Sequence, residues 1–235
     1  MAKAAEHFAF GKNWALYAAK VTEAELAEAE RGLVRLLGPA GLATQRFLDI
    51  GCGSGLHAVA ALRLGAREVI AVDLDPESVR TSEEVLRRFA PEGAAWHVLA
   101  ADVFDLTPGA FGTFDIVYSW GVLHHTGNLE RALASAAALV GPNGRLVLAL
   151  YRRTWLDAFW RVEKRWYAHA SDKSQARARS VYLALFRLRM AMLGKNFAEY
   201  VRTYRSNRGM DYYHDVHDWM GAGRMRRSSP GKWRA

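Results

Sequence analysis

From Phe47 to Gly55 the chain reads FLDIGCGSG, an apolar run carrying one acid and followed by glycines at alternate positions. No other stretch constrains the fold as tightly. Phe47, Leu48 and Ile50 suit a strand covered on both faces. Gly51, Gly53 and Gly55 then let the backbone turn sharply and approach a ligand with no Cβ in the way. A helix opening near Leu56 aims its free N–H groups and positive dipole end at this turn, where a carboxylate-bearing ligand fits.

Nicotinamide dehydrogenases space the equivalent turn as G-x-G-x-x-G, whereas here it is G-x-G-x-G with Asp49 ahead of it. That spacing, with no evident hydride-transfer site, argues against a dehydrogenase. A second strand, Glu68 to Val72, ends in Asp73, 22 residues after Gly51, the place for a carboxylate that binds ribose. A third, Trp96 to Ala100, runs into Asp102; a fourth, Phe114 to Tyr118, opens into Ser119, Trp120 and the doublet His124-His125. Each polar group falls just past the carboxyl end of a strand, where open α/β sheets bind ligands. Helices over Leu56 to Leu64, from Asp75-Pro76 onward and over Leu129 to Leu139 alternate with these strands. Such alternation calls for a parallel sheet with right-handed crossovers. Gly141-Pro142-Asn143-Gly144 reads as a turn into a fifth strand, Arg145 to Leu150.

The segments FLDIGCGSG, AVDLD, ADVFD, FDIVYSWGVLHH and GPNGRLVLALY follow one another between Gln45 and Tyr151. In this order they resemble the class I S-adenosylmethionine-dependent methyltransferases, and the wider pattern resembles the bacterial small-molecule enzymes of the ubiquinone-biosynthesis type. The resemblance implies a doubly wound, mostly parallel α/β core with S-adenosylmethionine as cofactor. It implies that Asp49, Gly51 and Gly53 surround the methionine part of the cofactor, with Gly55 in the same turn, and that Asp73 takes the ribose hydroxyls. Leu74 would pack on adenine, Asp102 and Val103 would read the exocyclic amine, and Ser119 joins the cofactor-binding set. The implied activity is methyl transfer to a small-molecule acceptor at oxygen; the alternative is a cofactor-binding protein without turnover.

With 235 residues, 51% of them hydrophobic, the chain can bury one substantial core and an appended helical region, not two independent domains. The opening MAKAAEHFAF has no apolar signal core, and no stretch approaches the ~20 apolar residues of a membrane span, so the expected compartment is the cytoplasm. A lone Cys52 excludes an intrachain disulfide and reads as a small side chain tolerated between glycines. The formal charge is +8, but Arg224, Arg226, Arg227, Lys232 and Arg234 supply five of those charges. The body is only mildly basic and no RNA-binding module is visible, which argues against a nucleic-acid partner.

Four regions are expected: an N-terminal helical cover (1–42), the cofactor-binding core (43–151), a helical insertion or lid (152–210) and a tail (211–235). In the first, Thr22 and Glu25 form a capping box and Val21 with Leu26 a hydrophobic staple. Leu26, Leu33 and Leu37 recur at helical spacing until Gly38-Pro39. Phe8, Phe10, Trp14 and Tyr17 either cover the bound cofactor or anchor the terminus. In the insertion, Val181, Leu185, Leu188 and Met192 lie at helical spacing near Arg177, Arg187 and Arg189. This stripe is expected to pack over the substrate cleft, the alternative being a membrane surface or an acidic partner.

For chemistry, His125 is the candidate general base, because imidazole titrates near neutral pH and the residue follows the fourth strand; a structural role is the other reading. Relatives of the ubiquinone type carry acids where this chain has Gly121 and His124, so a shared metal-assisted mechanism is not expected. Asp211, His214, Asp215 and Asp218 share a helical face in DYYHDVHDW, but without further ligand motifs no metal is predicted. After Met220 the composition turns to arginine, glycine and serine without an acid. Together with the lack of two strand-like runs after Leu150, this predicts a natural carboxyl terminus lost through a frameshift, and with it an antiparallel strand pair.

Overall fold

In the computed structural model, residues 21–38, 42–150, 171–208 and 212–221 are described, together with positions 14, 18, 19, 162, 163, 166, 167, 169 and 170. They separate into two compact units, one within Trp14 to Leu150 and one within Val162 to Gly221.

The first unit opens with α1, Glu23–Leu37, and its start is set by the predicted box: the Thr22 amide donates to Glu25 Oε2 at 2.8 Å, and the Thr22 hydroxyl accepts from helical amides. Val21 and Leu26 are both buried beside it, the staple that fixes the entry angle. Gly38 ends the helix with a positive φ of 84°, and Arg145 caps it by donating to the Leu37 carbonyl at 3.0 Å.

Strands β1 (Arg46–Ile50), β2 (Glu68–Asp73), β3 (Trp96–Ala100), β4 (Phe114–Trp120) and β5 (Val140–Ala149) form one parallel sheet in the order β3-β2-β1-β4-β5. Helices α2 (Leu56–Arg63), α3 (Pro76–Phe89), the short α4 (Pro108–Phe111) and α5 (Leu129–Ala138) connect them. Alternation along each strand sorts side chains between two cores. Phe47, Val69, Ala71, Ile116 and Tyr118 face α1, α2 and α3. Leu48, Ile50, Ile70, Val72 and Val117 pack with Leu129, Ala132 and Ala136 of α5 on the other face. The chain reverses direction of winding between β1 and β4, so the loops after these two strands face one crevice.

The expected turn at Gly141–Gly144 is instead a bulge inside β5. Phe114 pairs with Val140 and Ile116 with Arg145, so the intervening residues loop out while both flanks stay on the ladder. Asn143 takes φ 71°, and a Cβ on Gly144 would lie 2.8 Å from the Phe114 carbonyl. These are turn residues, but the strand continues through them because pairing resumes on the same neighbour.

In the second unit, α6 (Asp172–Met192), α7 (Phe197–Arg208) and α8 (Tyr212–Gly221) pack around Tyr167, Tyr204, Tyr212, Val216 and Met220. Here two expectations are corrected. Tyr212–Gly221 is a helix built into this unit, not the start of a separate tail, because Tyr212, Val216 and Met220 recur on its buried face. The stripe Val181, Leu185, Leu188 and Met192 faces outward in this unit; α6 packs instead through Ala178, Tyr182, Leu183, Phe186 and Met190, whose larger aromatic surface wins the interior. The tail beyond Gly221, and Phe8, Phe10 and Tyr17, lie outside the described residues.

Candidate functional site

The glycine turn is tied down from below and from the side. Gly51 and Cys52 both donate to the Val72 carbonyl, at 2.7 and 3.0 Å, and Gly55 donates back to Cys52 O at 2.8 Å. All three glycines take positive φ, 77°, 54° and 74°, a region that costs other residues roughly 1–2 kcal/mol. Close packing adds a second demand at Gly51, where a Cβ would fall 2.4 Å from a Val122 methyl, and at Gly53, where it would fall 2.9 Å from the Trp14 ring. Gly55 is the N-cap of α2, whose first amides open toward the turn.

The two acids flank this turn. Asp73 accepts from the Gly53 amide through Oδ2 and from the Asp75 amide through Oδ1, both at 3.0 Å. Burial, partly offset by those amides, raises its pKa. Asp49 lies one strand away on the same face of the sheet, since it is in register with Ala71. It is buried, and among the described residues its Oδ2 has no hydrogen-bond partner. Burial first, and the Asp73 charge second, push its pKa up to about 7. A buried carboxylate oxygen at the end of the strand that leads into a Cβ-free turn is matched to a cationic group, such as the ammonium and sulfonium of S-adenosylmethionine. The residues present therefore fit that cofactor.

Other predicted residues fall into two sets. Leu74, past β2, is half exposed and open to a flat ligand surface. Asp102 accepts from the Phe104 amide at 3.1 Å, closing the loop after β3, while Val103 is buried in the core behind that loop. Ser119 faces the opposite side of β4 from Tyr118 and donates to the Ile50 carbonyl at 2.9 Å, locking β4 to β1 beneath the turn. His125 closes a single turn of 3₁₀ helix, Leu123–His125, after β4. It is half-buried, with its ring 4.1 Å from that of the buried His124.

Sequence reasoning missed three contributors. The fully buried Ser82 of α3 donates to the Gly53 carbonyl at 3.0 Å and lies 3.2 Å from Cys52 Sγ. Its signal was a hydroxyl on the inner stripe of α3 with Ser78, Val85 and Leu86. His57, the second residue of α2, sits 5.1 Å from the Tyr118 ring, which in turn stacks on the exposed Trp120. Burial pulls His57 down to about 4, so it is neutral. Val122 closes the turn from the β4 side. Burial and the nearby acids raise the Cys52 thiol well above its ordinary value, consistent with an unreactive filler.

In the tail motif, Asp215 accepts from the Tyr204 hydroxyl, and His217 Nδ1 lies 2.7 Å from Tyr167 Oη and 3.0 Å from Arg179. Asp211 and the side chains of His214 and Asp218 lie outside the described set. Among the described residues no group of three or more His, Cys, Asp or Glu is placed to hold a metal ion.

Comparison with known proteins meets this geometry. Residues 48–148 match the family described as "Methyltransferase domain". The ubiquinone biosynthesis O-methyltransferase of Xanthomonas euvesicatoria is 37% identical over 114 residues, 48% of this chain and 46% of that protein. The ribosomal protein L11 methyltransferase of Ralstonia pickettii is 34% identical over 134 residues, 52% of this chain and 41% of its own length. Among solved structures, the magnesium protoporphyrin IX methyltransferase of Synechocystis with bound SAH aligns at 21% identity and a TM-score of 0.48, covering 58% of this chain and 61% of that one. The chain spans about half the length, or less, of the curated relatives it matches. The segment from Leu48 to Leu148 thus matches the methyltransferase domain family, the likeness its ordered motifs lead one to expect.

Proposed function

We propose that the protein transfers a methyl group from S-adenosylmethionine to a hydroxyl of a small-molecule acceptor. The observation that carries this reading is the buried Asp49 Oδ2, without a hydrogen-bond partner among the described residues, on the strand that leads into a glycine turn pinned by Asp73. Relatives named as ubiquinone biosynthesis O-methyltransferases support the choice of oxygen. In this reading Asp49 and the turn from Gly51 to Gly55 hold the methionine end of the cofactor. Asp73 keeps a lone pair on each oxygen for the ribose hydroxyls, Leu74 supports adenine, and Asp102 with the Val103 backbone reads its amine. When bound, S-adenosylmethionine supplies an activated methyl group on a sulfonium.

The protein's part is mainly positioning, because an in-line displacement needs an electron-rich atom held close and aligned. His125, on the loop after β4, takes the acceptor's hydroxyl proton on a ring nitrogen as the oxygen becomes the nucleophile. A ribosomal protein is the rival acceptor, favoured by the relative named as a ribosomal protein L11 methyltransferase. Titration calorimetry tests the cofactor: S-adenosylmethionine and S-adenosylhomocysteine should bind and NAD should not, and the reverse result overturns the reading. Label transfer from methyl-labelled cofactor to a small-molecule extract, against transfer to ribosomal protein, then separates the two acceptors.

A further inference from the structure

Helix α6 is apolar on two opposite faces. Its inner face carries Ala178, Tyr182, Leu183, Phe186 and Met190 into the helical unit. Its outer face carries Val181, Leu185, Leu188 and Met192, which step by four, three and four residues and so fall on one line. All four are 57 to 72% exposed. A polar outer face would be the ordinary outcome for a helix whose inner face is already satisfied. The line is flanked by Lys173 and Arg177 on one side and Arg189 on the other, all exposed, and from Lys173 to Ala198 the sequence contains no acid.

We propose that this outer face docks on an anionic phospholipid surface, with the apolar line at the acyl boundary and the flanking cations at the headgroups. At 21 residues the helix extends roughly 31 Å, and no described helix is long and apolar enough to cross a membrane; lying in the interface is the arrangement its two-sided pattern suits. The charge pattern selects this occupant over a second copy of the chain. Two such faces brought together would set Arg177 and Arg189 of each against a helix whose one acid, Asp172, lies at its far N-terminus, whereas phosphodiesters pair with every one.

Co-sedimentation of the full chain with phosphatidylglycerol-containing and pure phosphatidylcholine vesicles tests this. Binding is expected to the anionic vesicles, weakened roughly tenfold or more by high salt or by removing the anionic lipid. Leu185→Glu/Leu188→Glu and, separately, Arg177→Glu/Arg189→Glu should each lower it by about tenfold or more while leaving the circular-dichroism spectrum unchanged. Val181→Ser/Met192→Ser, a milder pair, should lower it too and stands in if a charged variant misfolds. Absence of vesicle binding, binding that the variants leave intact, or a dimer in sedimentation equilibrium that the same variants dissolve would each overturn the proposal.

Discussion

Asp73 Oδ2 accepts a hydrogen bond from the Gly53 amide at 3.0 Å, so the acid that ends β2 also fixes the middle of the glycine turn after β1. One carboxylate thus shapes the turn and stands ready for a ligand hydroxyl. Asp73→Ala is expected to lose about 1.5 to 3 kcal/mol of S-adenosylmethionine binding through the missing charge-assisted bonds. It should also melt earlier, because the Gly53 and Asp75 amides lose their acceptor. Calorimetry and a thermal melt on the same sample read both effects, and unchanged affinity would remove Asp73 from the site.

Gly51 is constrained twice, by φ 77° and by Val122, whose methyl would stand 2.4 Å from a Cβ. Gly51→Ala should therefore destabilise by more than the roughly 1–2 kcal/mol of a left-handed alanine. Combining it with Val122→Ala removes the two closest contacts and leaves the φ penalty and the residue-122 Cβ at 2.9 Å. The double variant should recover part of the loss, with a coupling above about 0.5 kcal/mol in a denaturant-melt cycle. Strict additivity would mean that Val122 does not close on the turn.

Much of this arrangement was legible beforehand, because strand, turn and cap residues act through local backbone chemistry. Thr22 and Glu25, Asp75 with Pro76, and the alternate glycines each announce their element within a few positions. What stayed hidden depends on parity and on distant neighbours. Asp49, Asp73 and Tyr118 share one face of the sheet while Ser119 points to the other, and only register across β1, β2 and β4 reveals which is which. The outward stripe of α6 was misassigned for a related reason. Helical spacing identifies a face, but Tyr182 and Phe186 define a second, more bulky one, and only the partner helices α7 and α8 decide which is buried.

Ser82 is a positioning residue whose hydroxyl holds the Gly53 carbonyl. Ser82→Ala leaves that buried carbonyl without this donor, at a cost of about 1–3 kcal/mol in stability. Cofactor affinity should fall with it, since the turn loses a support, whereas Ser82→Thr should break affinity more than stability only if its methyl is pushed into the turn. Melting curves and calorimetry on both variants separate the outcomes; an Ala variant with wild-type values for both would show that the bond contributes nothing.

His125 ends a short 3₁₀ turn after β4, its amide donating to the Val122 carbonyl at 2.8 Å; that backbone bond survives a change of side chain, so replacing the ring should spare the cofactor. His125→Gln is expected to leave S-adenosylmethionine affinity within about twofold and to slow transfer by on the order of a hundredfold, the usual scale for a lost general base. A variant that instead unfolds or loses cofactor would assign His125 a structural role.

Asp49 links cofactor binding to pH. Its pKa is raised from 3.8 to about 7, mainly by burial, so the folded protein binds the proton more tightly than the unfolded chain does. Stability then falls as pH rises between about 4 and 7, and the full cost of the buried charge is present above about pH 7. Asp49→Asn abolishes that ionisation with a side chain of the same shape. The variant should match the parent near pH 4 and exceed it near pH 8 by on the order of 1–4 kcal/mol, read from melts across that range. A cationic ligand reverses the preference, because the carboxylate is the form that pairs with it. Affinity of the parent for S-adenosylmethionine should rise from about pH 6 to 8 with net proton release, which calorimetry in two buffers of different ionisation enthalpy counts directly. The Asn variant should bind more weakly above about pH 7 and show no such dependence. Binding by the parent that releases no proton and gains nothing over this range would place Asp49 outside the cofactor site.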